Sequence, residues 1–166
     1  ERIDEDLLHY IGSMMLGLND ALVELTGTIA GMTFALSGTK MAALAAIITG
    51  IAATLSMAAS NYLAERAERN PMAVKSSMYT GAAYLITVVI LILPYLLLPN
   101  SMYTTAFIAM LVIVIAIIYV FNFFISVVQN TPFWSRFAEM AAISLGVTAI
   151  SFGIGLIARM FIGADV

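Results

Sequence analysis

The chain has 166 residues, 62% hydrophobic and 10% charged, with a mean hydropathy of +1.02; soluble domains carry about a quarter charged residues, so a water-soluble globule is excluded. It has no cysteine and a single histidine, His9, which removes disulfides, zinc–thiolate centres, thiol nucleophiles, histidine-cluster metal sites and a Ser-His-Asp triad within a membrane. The net charge of -3 comes mostly from the acidic run at residues 1–6, and nothing in it suggests nucleic-acid binding.

The charges are segregated. None lies between Lys40 and Glu65, between Lys75 and Arg136, or between Glu139 and Arg159, and each gap holds one or more stretches of the ~20 apolar residues that cross a bilayer. A first span is expected near residues 11–36, interrupted by Asn19, Asp20 and Glu24 and stopped at Ser37-Gly38-Thr39, a tight turn that also suits the cap of the next helix. The second runs near 41–63 and is expected to continue as a water-exposed helix through Glu65, Arg66, Glu68 and Arg69 until Asn70-Pro71 ends it. The third covers about 77–98 and the fourth about 102–128, joined by a short hairpin containing Pro99, Asn100 and Ser101, with Pro94 placed to kink the end of the third. Thr131-Pro132 reads as an N-cap and first-turn pair; the helix it opens carries Phe133, Trp134 and Arg136 at the interface and crosses near 140–161.

The expected fold class is therefore an all-α integral membrane protein with five transmembrane helices in a single domain over residues 1–166. Five crossings put the termini on opposite sides. Arg2, Arg66, Arg69, Lys75 and Arg136 fall on the side of the N-terminus and only Lys40 and Arg159 on the other, so the positive-inside bias places the N-terminus in the cytoplasm and the C-terminus across the membrane.

An ionisable residue inside a span costs about 2.5–3.5 kcal/mol on insertion scales, and needs a partner, a water cavity or a function to offset it. Asp20 and Glu24 are the clear cases. Their spacing of four sets both carboxylates on one helical face, which continues through Gly27 and Gly31. On the second span Gly50, Thr54, Met57, Asn61, Glu65 and Glu68 form another stripe at helical spacing, expected to face the first. Carboxylate and amide oxygens suit hard divalent cations, and the Met57 thioether shifts the preference toward softer ions, so Fe²⁺ or Mn²⁺ is the expected cargo. Two carboxylates one turn apart in a low dielectric resist ionising together, so cation and proton compete for the pair. Such competition is the elementary requirement of antiport.

Plainer readings stand beside these. Asp20 alone would serve by reaching the interface or accepting a hydrogen bond, but two acids on one face are harder to dismiss. A lone Met57 in a chain with eleven methionines is more often packing than ligand. The acids at Glu65 and Glu68 fit a solvated helix end as well as a cation-attracting vestibule, and Glu139 at the mouth fits a first-turn acid that complements the helix dipole. Gly27-Thr28-Ile29-Ala30-Gly31 suits packing within the subunit as well as dimerisation. Ser144, Thr148, Ser151 and Gly155 form a weakly polar face suited to close packing.

The strings Leu18-Asn19-Asp20-Ala21-Leu22-Val23 and Ser56-Met57-Ala58-Ala59-Ser60-Asn61-Tyr62-Leu63, with their spacing and the five-helix plan, resemble the vacuolar iron transporter family. The resemblance implies export of ferrous iron, and often manganese, from the cytosol in exchange for protons by a homodimer. It matches Asp20 and Met57 to the family's transport-pathway aspartate and methionine. Plant and fungal members carry a long Glu- and Met-rich cytoplasmic segment between helices two and three, where this chain has only about residues 64–76, and Asn61 stands where some members have glutamate. Some bacterial and archaeal relatives bear a ferritin-like domain before the first helix, and the absent initiator Met fits a chain trimmed of one.

The expected protein is thus a transporter of the prokaryotic inner membrane that exports Fe²⁺ or Mn²⁺ against protons. Asp20, Glu24, Met57 and Asn61 line its path, Asp20, Glu24 and Met57 hold the metal, and Glu65, Glu68 and Glu139 form a cytoplasmic vestibule. It requires no cofactor. The alternative is a membrane scaffold or assembly subunit whose buried acids pair with another subunit. An intramembrane hydrolase is weakest, because Asp20 has no second aspartate in any span to form a dyad.

Overall fold

The computed structural model describes residues 2–162, with side chains placed for residues 10–161. Glu1, the side chains of Arg2 and the acidic run, and His9, on which part of the charge reading draws, lie outside that description. The described residues form five helical rods. The first consists of α1 (Arg2–Asp20), a π-helical turn (Ala21–Leu25) and α2 (Thr26–Leu36), with Asp20, Leu25 and Thr26 all in right-handed helical geometry so that the chain does not break. The others are α3 (Thr39–Ala67), α4 (Ala73–Leu97), α5 (Tyr103–Gln129), preceded by a 3-10 turn at Asn100–Met102, and α6 (Phe133–Ile162).

The rods end where local chemistry stops them. Ser37, in left-handed geometry at φ 51°, closes α2, and its amide donates to the Thr33 carbonyl. The cap of α3 comes from another loop: Asn100 Oδ1 accepts the Lys40 amide at 3.1 Å. Helix α3 stops at Ala67, two residues short of Arg69, which turns at φ 60°. Asn70 then accepts the Met72 amide at 2.9 Å through its side chain and leads into α4. Pro94 sits inside the last turn of α4, where its carbonyl still accepts the Leu98 amide. The expected cap at Thr131 does not form: its hydroxyl is buried without a partner, and Ser126 instead donates to the Thr131 carbonyl.

Among the described residues four helices are long and apolar enough to cross a membrane, at Thr39–Ala67, Ala73–Leu97, Asn100–Gln129 and Phe133–Phe161. The first rod spans about 50 Å by the rise of an α-helix, but its charged start and its mid-rod polar cluster of Asn19, Asp20 and Glu24 dilute the apolar run. The outward faces of α3, α4, α5 and α6 carry exposed large apolar side chains, including Leu44, Ile48 and Leu55 on α3 and Val112, Val120 and Phe123 on α5. Such continuous apolar exposure belongs in lipid.

At the centre α4 and the first rod lie side by side. Ser13 meets Ser76, Glu24 meets Tyr84 and Thr33 meets Tyr95, and since both numbers rise together the two run parallel. Helix α3 runs antiparallel to α4: Asn61 bonds Ser76 and Thr80, and Gly50 lies against Val88. Buried Tyr84, Val88, Leu91, Ile92 and Tyr95 of α4 join Leu22, Leu25 and Ile29 of the first rod in the core.

Candidate metal-transport site

The site begins with the break in helical regularity. Over Ala21–Leu25 the backbone takes up one extra residue per turn as a π-helix, a form that is rare and often found at functional positions. Asp20 is the last residue before it and Glu24 lies within it. The π-turn coincides with a change of partner. Below it, α1 packs on α4; above it, α2 packs on α6.

The lower contact is close and polar. A Cβ at Gly17 would collide with the Thr80 carbonyl oxygen. The Thr80 hydroxyl donates to the Ser13 carbonyl at 3.0 Å, and the Ser13 and Ser76 hydroxyls bond at 2.7 Å. The upper contact is made of small residues: a Cβ on Gly27 would lie 2.8 Å from Ser151 Oγ, one on Gly31 3.0 Å from the Ser151 carbonyl, and one on Gly155 2.9 Å from Gly31 Cα. Ser144 Oγ donates to the Leu22 carbonyl at 3.3 Å. The glycine pair and the weakly polar face of the last helix therefore pack on each other within one chain.

Between these contacts stand the acids. Asp20 is half-buried, while Glu24 is exposed on the outer surface of the single chain. The two carboxylates repel each other. The buried Tyr84 hydroxyl donates to Glu24 Oε2 at 3.2 Å. The nearby contacts set the level of Met57. Gly81 of α4 lies against Ala58 and the Thr54 carbonyl, so Met57 sits between the levels of Thr80 and Tyr84, which are also the levels of Gly17 and Glu24. Met57 is half-buried and packs against the core.

The α3 stripe does not face the first helix as expected. Gly50, Thr54 and Asn61 turn to α4, because Ser76, Thr80 and Gly81 there are small enough to admit a close neighbour. Asn61 is only 8% exposed, and its Nδ2 donates to Ser76 Oγ and Thr80 Oγ1, both at 2.9 Å. With both amide hydrogens in use, Oδ1 is the atom that remains to meet a cation.

The three acids of the expected vestibule divide between two places. Glu65 accepts from Ser76 Oγ at 2.8 Å and from the Asn70 amide, within the α3–α4 corner. Glu68 is exposed at the α3 terminus. Glu139 lies elsewhere, lining a cavity of about 290 Å³ with Met15, Asn19, Asn122, Arg136, Met140 and Ile143. Among the described residues no group of three or more His, Cys, Asp or Glu comes together to hold a metal. The acids available to a cation at mid-rod are thus Asp20 and Glu24, with the Met57 thioether at their level.

Sequence reasoning missed Tyr84 and the hydroxyls beneath it. A signal was present: Ser76, Thr80, Tyr84 and Thr87 recur at helical spacing on the third span. The buried Asn122 and the position of Arg136 beside it had no periodic signature.

No curated protein is significantly similar to the chain. Residues 11–75, less than half of it, match the family model described as VIT family, a stretch that includes both strings, the π-turn and the whole of α3. The family is one of membrane metal-ion transporters rather than enzymes. Over residues 11–75, the part that carries Asp20, Glu24 and Met57, the chain is thus similar to the VIT family.

Proposed function

We propose that the protein exports Fe²⁺ or Mn²⁺ from the cytosol in exchange for protons, as a homodimer crossing the membrane five times with its N-terminus in the cytoplasm. The inner membrane of a prokaryote is the proposed location. The observation that carries this reading is the exposed Glu24 in the middle of the first rod, one turn from Asp20 and hydrogen-bonded to Tyr84.

A carboxylate facing lipid costs about 2.5–3.5 kcal/mol. A water-filled cleft between two copies removes that cost and supplies a route to the acids. Asp20 and Glu24 then offer hard oxygens, Met57 a softer sulfur, and Asn61 one carbonyl oxygen deeper in the α3–α4 contact. A divalent ion entering between the carboxylates displaces protons, and its departure on the far side lets them return. The proton gradient across the membrane therefore drives the metal outward.

The test is flux in proteoliposomes loaded with a pH-sensitive dye, using Fe²⁺, Mn²⁺, Zn²⁺ and Ca²⁺ with and without a pH gradient. Fe²⁺ or Mn²⁺ should drive proton movement in the native protein and not in Asp20→Asn. Unaltered flux in folded Asp20→Asn would remove Asp20 from the mechanism, and an intact oligomer without metal flux would favour a scaffold.

A further inference from the structure

The cavity between α1, α5 and α6 has a charge problem that the transport reading does not use. Arg136 lines it, and Arg136 Nη1 is shielded from solvent with no acceptor among the described residues. Arg136 is otherwise half-buried, so its guanidinium is partly withdrawn from water without a counter-charge, and phosphate is the anion its fork geometry matches best. Glu139 lines the same cavity and is exposed, yet no ion pair joins it to Arg136 among the described residues. The pocket thus presents a cation and an anion separately. Residues three apart on a helix share one face, so both charges can reach a single zwitterionic headgroup, whose phosphate and ammonium are two carbons apart. The buried Asn122 and the half-buried Asn19 add neutral hydrogen-bonding groups.

A second feature adjoins the first. An almost wholly apolar groove of about 490 Å³ is lined by Leu18 of α1 and by Ile113, Ile117, Val120, Phe121 and Phe124 of α5. Leu18 and Phe121 are the chain neighbours of Asn19 and Asn122, so polar cavity and apolar groove share the same two helices at the same level. Nearby, Phe133 and Phe137 stack at 5.6 Å between ring centroids beside Trp134, which is 73% exposed. Exposed tryptophan at the start of a spanning helix marks the headgroup level of a membrane.

We propose that this cavity and groove bind one phospholipid with a primary-amine headgroup, a phosphoethanolamine lipid. Its phosphate is held by Arg136, its ammonium by Glu139, and an acyl chain lies along Leu18, Ile117 and Phe121. A choline headgroup cannot donate a hydrogen bond to Glu139, and a glycerol headgroup brings no cation to it. A metal ion is the poorer occupant, because the Arg136 guanidinium repels it. The site is separate from Asp20 and Glu24, and it stands or falls independently of their role in transport.

The experiment is native mass spectrometry of the detergent-solubilised full chain with phosphatidylethanolamine, phosphatidylcholine and phosphatidylglycerol of identical acyl chains, alongside free phosphoethanolamine. The native protein should retain phosphatidylethanolamine about tenfold more tightly than the other two lipids. Arg136→Gln should lose that retention, and Glu139→Gln should bring phosphatidylethanolamine down to the level of phosphatidylcholine. Equal retention of all three lipids, or tighter phosphatidylglycerol, would overturn the proposal. Binding of free phosphoethanolamine as tight as that of the lipid would overturn the lipid assignment. If Arg136→Gln does not fold, Glu139→Gln decides alone, since an undiminished preference for the amine headgroup in that variant refutes the site.

Discussion

The two halves of the first rod use opposite means to meet their neighbours. Above the π-turn, α2 meets α6 through Gly27, Gly31 and Gly155, where the Gly31 and Gly155 backbones approach each other directly and Gly27 lies against the Ser151 side chain. Below it, α1 meets α4 through the Ser13, Ser76 and Thr80 hydroxyls, with Asn61 of α3 joined in. In lipid, helices gain nothing from hiding apolar surface, so close backbone packing and interhelical hydrogen bonds remain as the means of association. The glycine half is suited to staying fixed. The hydroxyl half ends at a wider turn and leaves two acids beside it, which suits a place where an ion must come and go.

Perturbing each half should separate these roles. The largest effect is expected at the boundary: Asp20→Asn should reduce metal-driven proton flux to background while leaving the melting temperature in detergent within a few degrees of native. In the glycine half, Gly155→Ala pushes a methyl into the Gly31 backbone and should cost about 1–3 kcal/mol of stability. Thermal unfolding should show it as a lower Tm, with flux per folded molecule preserved. An Asn61→Ala change in the hydroxyl half strips two donors from a buried network and should cost about 1–3 kcal/mol. Here Tm and the KM for metal should both move if Oδ1 meets the ion, and Tm alone if it does not.

Smaller again is Tyr84→Phe, which removes the donor to Glu24. It should alter the metal KM by about 10-fold, the low end of the range seen when groups that orient ligands are lost, with little change in Tm. A neutral Glu68→Gln at the exposed end of α3 should stay within about 0.5 kcal/mol and leave flux unchanged. A large flux defect there would support Glu68 as part of a cytoplasmic vestibule.

How far the site could be read in advance depended on the kind of signal. The membrane class, the helix-only fold and the strings around Asp20 and Met57 were legible, because hydropathy, charge gaps and local motifs are properties of adjacent residues. The face of α3 was misjudged for a reason that a single helix does not contain. Gly50, Thr54 and Asn61 form a stripe whichever neighbour they meet, and the small residues of α4 drew that stripe away from α1. The vestibule divided in the same way: Glu65 and Glu68 stand at the α3–α4 corner, and Glu139 stands across the bundle beside Arg136.

By itself the sequence determined that this chain requires a lipid environment, that it folds as helices, and that two acids must be accommodated in the middle of the first rod. Those outcomes follow from the cost of exposing apolar surface to water and of burying charge, which each segment carries wherever it packs. Only the tertiary structure decided that a π-turn follows Asp20 and contains Glu24, that Tyr84 reaches Glu24, that the glycines bind the last helix within one chain, and that Arg136 Nη1 is buried without an acceptor. Each of these depends on which surfaces meet, and helix packing in a membrane is settled by shape and hydrogen bonding between residues far apart in the chain.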